Sequence, residues 1–293
     1  MSEYTTTILS NEACQLGEGA TYDARTDTAW WFDITESLLF EHSFADDRTV
    51  RHPLPFMASQ LSFLEDGRQL VASETGLHLR DPSNGELKLL QAIEQQNPVT
   101  RSNDGRVHPS GALWIGTMGK ALEPRAGAIY WYRGGTLRQL FPGITIPNAI
   151  CFAADGTRAF FTDTANGRIM TVETETATGL PIGDPTVFND SQGEVGGVDG
   201  AVLDAEGLIW NARWGAGRID VYNPAGDRVR SVEVGVRQPS CPAFVGRHAD
   251  RMIVTSARRG LDHSVVAGEP QNGKTLLLEG RFKGRHDPFV VIA

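Results

Sequence analysis

Short apolar, β-rich runs recur along this chain between turn residues such as glycine, proline, asparagine and aspartate. Ala29-Trp30-Trp31-Phe32, Ala128-Ile129-Tyr130-Trp131-Tyr132 and Ala159-Phe160-Phe161-Thr162 are typical, and they read as strands. Long helical patterns are hard to find. Many short strands at regular spacing argue for an all-β architecture, so the next question is whether the spacing hides a repeat.

Aligned on their turns, four hairpins share one register. Residues 59–73 turn at Asp66-Gly67, 103–117 at Ser110-Gly111, 148–163 at Asp155-Gly156 and 199–213 at Glu206-Gly207. In each, the first residue stands eight positions before the turn glycine. Two further copies, residues 18–33 and 240–255, fit with looser turns. The position four after each head is apolar in all six (Tyr22, Phe63, Val107, Phe152, Leu203, Phe244), as a buried strand requires. Each hairpin is followed by a third run, often opened by glycine (Gly76, Gly127, Gly167, Gly217), and then by a more variable fourth, such as residues 86–90 or 228–232.

Heads recur roughly every 40–50 residues, the length of one four-stranded propeller blade. The pattern therefore predicts that residues 1–293 form a single domain, a six-bladed β-propeller. The β-prone run 4–9 is expected to supply the outer strand of the last blade, so that the ring closes and removes the sheet edges.

Composition narrows the function classes. The formal net charge is −9 and Lys and Arg form no cluster, which speaks against a nucleic-acid surface. The three cysteines, Cys14, Cys151 and Cys241, are odd in number and far apart, so neither a disulfide framework nor a zinc site is expected. Met1-Ser2-Glu3-Tyr4 opens no secretion signal, and no apolar run is long enough to cross a bilayer. A cytoplasmic protein without membrane or nucleic-acid partners, a monomer or small homo-oligomer, is the expectation.

In a propeller the first strands line the central channel, and equivalent positions ring its axis. The ring of heads is Glu18, Ser59, Asn103, Asn148, Asp199 and Ser240: two carboxylates, two carboxamides and two hydroxyls. Such a set either orders water or holds a hard divalent cation, whose preferred ligands are oxygens. Two carboxylates in one enclosed channel are costly unless cations or protons compensate them, which moves the reading toward a metal.

Leu16-Gly17-Glu18-Gly19, Arg101-Ser102-Asn103-Asp104-Gly105, Gly116-Thr117-Met118, Ile146-Pro147-Asn148-Ala149, Val198-Asp199-Gly200 and Trp214-Gly215 also resemble, in order, the motifs of the regucalcin/gluconolactonase (senescence marker protein) family. That family is a six-bladed propeller, and its characterised enzymes are mostly sugar lactonases. The resemblance implies Glu18, Asn148 and Asp199 as metal ligands, and Arg101 and Asn103 as substrate contacts, with the asparagine at the position of Asn103 also approaching the metal in some members. It implies one divalent cation, whether calcium, zinc, manganese, magnesium or iron, and a small-molecule sugar lactone as substrate. Such a cation would polarise the lactone carbonyl, with Asp199 as general base for the attacking water.

The chain departs from the family in two places. His108 stands where many relatives have Asp, and it reads as a structural turn residue. After Gly116-Thr117-Met118 an acidic substrate contact is replaced by the segment Gly119-Lys120-Ala121-Leu122-Glu123. Lys120, with Arg101 and Arg213, raises a lactone bearing a carboxylate as a possible substrate, against a solvated Lys120 and a locally paired Arg213. The loop around residues 189–194 is expected to shape specificity. Cys151, Cys241 and the tryptophans read as core. An organophosphate or aryl-ester hydrolase and a calcium-binding regulatory protein stay open beside the lactonase.

Overall fold

Every inner strand carries an irregularity at its head, and this feature positions the candidate site. The structure, a computed structural model, describes residues 3–293, so Met1 and Ser2 of the N-terminal segment lie outside the described residues. Its repeats form six four-stranded antiparallel sheets, the blades of a six-bladed β-propeller. The inner strands are Gly17–Asp23, Ala58–Phe63, Thr100–Val107, Pro147–Phe152, Gly197–Leu203 and Pro239–Val245, numbered here as blades one to six. The N-terminal strand Thr5–Ser10 pairs with Thr275–Glu279 as the outer strand of blade six, as expected. No helix among the described residues is long and apolar enough to cross a membrane.

The shared register has a backbone cause. Gly67, Gly111, Gly156 and Gly207 turn with φ of 92°, 82°, 69° and 81°, a region that glycine enters without steric cost. In the two looser turns Asp27 and Ala249 take that conformation instead, each at φ 52°. The six residues four after the heads are all buried. All six inner strands also shift register just after or around the head: Glu18/Thr21, Ala58/Gln60, Ser102/Gly105, Asn148/Cys151, Val198/Ala201 and Pro239/Pro242. Bulges of this kind re-aim a side chain and end pairing locally, and they gather next to active sites.

Contacts group the blades into two sets, each described by itself. One comprises Leu54–Gln192 with Asp287–Ala293, that is, blades two to four. In it Leu64, Leu70 and Leu77 of blade two meet Val107, Leu113 and Tyr132 of blade three, with Val290 in the same cluster. Trp114 and Trp131 of blade three meet Phe152 and Phe161 of blade four. The other set comprises residues up to Pro53 with Gly193–His286, that is, blades five, six and one. Trp210 and Ile219 pack on Phe244, Val254, Tyr4 and Phe282, while Trp31 and Tyr22 pack with Cys14, Cys241 and Ile253. All three cysteines are buried thiols outside any disulfide, and for Cys151 and Cys241 that burial is the one expected from the sequence. Residues 189–190, placed in a specificity loop from sequence, instead end the outer strand Pro181–Asp190 of blade four.

Candidate functional site

Four of the six heads fall within a register shift, and two stand immediately before one. Ser59, Asn103, Asp199 and Ser240 lie inside their bulges, out of cross-strand pairing. Glu18 and Asn148 pair with Phe32 and Thr162, and the chain then swings through Gly19 at φ 62° and Ala149 at φ 53°. Glycine takes that conformation freely. Alanine does not, so Ala149 is a strained position next to a candidate ligand.

In blades two to four the predicted residues form one hydrogen-bonded chain. Arg101 is buried, and its Nη1 donates to Ser102 O at 2.7 Å and Asn103 Oδ1 at 2.8 Å. Asn103 Nδ2 donates to Pro147 O at 2.9 Å and to Asn148 Oδ1 at 2.8 Å. Asn148 Nδ2 in turn donates to Thr164 Oγ1 at 3.0 Å. Ser59 braces blade three, donating to Asn103 O at 2.5 Å and Ser102 Oγ at 2.8 Å. Lys120 is a part-exposed, ion-paired cation: its Nζ lies 2.5 Å from Glu74 Oε2. Burial works against the Glu74 charge, but Lys120 and the Met57 N–H outweigh it and hold the carboxyl below its usual range.

In blades five, six and one, Asp199 is buried and Glu18 partly so. The Asp199 carbonyl accepts from Asn211 Nδ2 at 2.8 Å, which ties the bulge to the neighbouring strand. A Cβ on Gly200 would stand 2.8 Å from Ser240 O and 2.9 Å from Cys241 Cα, so only glycine lets the blades approach behind Asp199. Ser240 donates to Gly17 O and shares a 2.9 Å contact with Thr255 Oγ1. The two head hydroxyls, read from sequence as part of an oxygen ring, therefore brace adjoining blades. Arg213 is fully buried and locally paired, 3.6 Å from Asp220 and donating to Gly196 O.

The oxygen donors left at the heads are carboxylates and carboxamides, which suits a hard divalent cation. Among the described residues no group of three or more His, Cys, Asp and Glu side chains could hold a metal, so a cation here must also draw on carboxamide oxygen. His108 is fully buried, with Nδ1 2.8 Å from Ser110 Oγ and Nε2 3.1 Å from Gly156 O, the turn residue expected from its position.

Asp104 escaped the sequence reading. It is the only carboxylate one position after a head, and that was the available signal. Its carboxylate accepts the N–H of Gly105 at 2.9 Å and of Ile150 at 2.7 Å, so it holds the backbone just beyond Ala149. Burial pushes its carboxyl up to about 6, with Arg106 and the two amides pulling down and Asp287 adding to the rise. The folded protein thus keeps this proton more tightly than the unfolded chain, whose aspartates titrate near 3.9. Its contribution to stability is complete below about pH 4 and is lost as pH rises through about 6, a change of about 3 kcal/mol. Urea unfolding between those limits should show this slope in the wild type and lose it in Asp104→Asn; an unchanged slope would assign it elsewhere.

Residues 16–258 match the family described as the SMP-30/Gluconolactonase/LRE-like region. Over 280 residues the chain is 51% identical to a Rhizobium meliloti protein described as a candidate sugar lactone lactonase, covering 96% of this chain and 95% of that one. It is 31% identical over 283 residues to an L-arabinolactonase of Azospirillum brasilense, covering 95% and 93%. Among solved structures, a calcium-binding protein, regucalcin, of Agrobacterium tumefaciens is 48% identical with a TM-score of 0.96, covering 98% of this chain and 97% of that one.

Proposed function

The chain belongs to the SMP-30/gluconolactonase/LRE-like family, and from that membership we propose that it is a metal-dependent hydrolase opening a sugar lactone, an aldonolactone or aldarolactone, to its acid. One observation supports the reading: the hydroxyls of Ser59 and Ser240 brace adjoining blades, and the carboxylates of Glu18 and Asp199 and the carboxamide of Asn148, ligand types a hard cation prefers, stand at the bulged heads of their strands. The lactonase names of the relatives support the substrate class.

Glu18, Asn148 and Asp199 would hold the cation, which when bound would polarise the lactone carbonyl and stabilise the developing oxyanion. Asp199 is the base. Its carboxylate takes a proton from the attacking water as oxygen adds to the carbonyl carbon, and returns it to the ring oxygen as the C–O bond breaks. Arg101 and Asn103 orient the sugar, Arg101 through the amide it holds. Lys120 meets the substrate as half of an ion pair with Glu74, through hydrogen bonds rather than net charge, which favours a neutral lactone.

The test is to strip divalent cations with a chelator and restore Ca²⁺, Mg²⁺, Mn²⁺, Zn²⁺ or Fe²⁺ singly, assaying a gluconolactone, a glucarolactone and a phosphotriester. Turnover should vanish on stripping, return with at least one cation, and be higher in kcat/KM for the neutral lactone. No lactone turnover with any cation would move the assignment to a calcium-binding protein. Faster phosphotriester cleavage would move it to an organophosphate hydrolase.

A further inference from the structure

We propose that Thr164 is a positioning residue for Asn148, closing a directed hydrogen-bond chain from Arg101 through Asn103 that presents the Asn148 carboxamide oxygen for ligation. The inference rests on the reading above, in which Asn148 is a cation ligand.

The direction of the chain follows from donor chemistry. A guanidinium only donates, so the Asn103 atom facing Arg101 Nη1 at 2.8 Å is its oxygen. The Asn103 NH₂ must then face the other way, and it does, meeting two acceptors: Pro147 O, a carbonyl that can only accept, and Asn148 Oδ1. Turning the Asn148 amide over would set two NH₂ groups against each other. Its oxygen therefore faces Asn103 and its NH₂ faces Thr164 Oγ1 at 3.0 Å. One lone pair of Asn148 Oδ1 accepts from Asn103, and the second is the one a hard cation takes.

Thr164 is held firmly enough for this role. It opens the 3-10 turn Thr164–Asn166, which Asp163 caps by accepting Ala165 N–H. The same carboxylate accepts Thr145 N at 2.9 Å and Ile146 N at 3.0 Å, and Thr164 N donates to Ile146 O at 2.9 Å. The turn is thereby fastened to the segment that enters the Asn148 strand.

Partners that orient a metal ligand typically alter affinity by about 10–100-fold when removed. Calorimetric titration of metal-stripped protein with Ca²⁺, Mn²⁺ and Zn²⁺, each alone, should show Thr164→Val weakening Kd by at least about 10-fold. Thr164→Ser, which keeps the hydroxyl, should bind like wild type, and kcat at saturating cation should fall far less than affinity. Thr164→Ala provides a second hydroxyl-free protein if the valine variant does not fold. A hydroxyl-free variant that folds, with wild-type Kd, would overturn the positioning role. Wild type that binds none of the three ions would instead overturn the ligand assignment beneath it.

Discussion

Replacing Asp199 by asparagine is expected to cut turnover of a sugar lactone by at least about 10³-fold, within the range by which positioned general bases contribute. The substitution keeps one oxygen and the size of the side chain but removes the basic lone pair that takes the proton from water. It leaves the Asp199 carbonyl free to accept from Asn211, so the bulge and the fold should persist. Circular dichroism and an unchanged Tm would establish that. Loss of a negative ligand should also weaken cation uptake, so the assay belongs at saturating cation, where the remaining deficit reports on the proton transfer. An asparagine variant that turns over at the wild-type rate under those conditions would remove Asp199 as the base and require another proton acceptor.

Much of the fold was legible because the repeat imposes the same steric demand at the same place. Gly67, Gly111, Gly156 and Gly207 mark turns that need positive φ, and counting back from them finds the heads. The bulges were not legible. Ala149 carries no local sign that its backbone is left-handed, because that conformation is imposed from outside, by the Asp104 carboxylate on Ile150 N–H and by the neighbouring strand. Composition at a position reports what its side chain prefers, not what an adjoining blade forces on its backbone.

The candidate site was legible as a set of oxygen-bearing heads but not as a division of labour. Ser59 and Ser240 looked equivalent to Asn148 because register treats all six heads alike, whereas their short hydroxyls bond the backbone of the next blade and a neighbouring Ser or Thr hydroxyl. Lys120 looked like a free cation because its partner, Glu74, stands 46 positions earlier in the chain and enters from the preceding blade. Thr164 gave no signal at all, since its role lies in a hydrogen bond to an amide 16 residues away.

The C-terminal segment passed unremarked for a related reason, and it supports the second large effect: Val290→Asp should destabilise the protein by at least about 4 kcal/mol, the range reserved for unpaired charge in a core. Residues Asp287–Ala293 form no regular strand, yet Val290 is buried with Leu64, Val107 and Tyr132. Val290 N donates to Phe63 O and Val291 N to Gly111 O, both at 2.9 Å. Asp287 pairs at 2.7 Å with Arg106, itself buried. A carboxylate at position 290 would lose the burial of the valine side chain, about 1.5–3 kcal/mol, and would add a charge that this apolar cluster cannot solvate. Val290→Ile, which keeps the chemistry, should stay within about 1.5 kcal/mol of wild type. Urea unfolding of the three proteins at neutral pH measures both differences. A Val290→Asp protein as stable as wild type would mean that the segment can detach at no cost, and that the cluster it joins is complete without it.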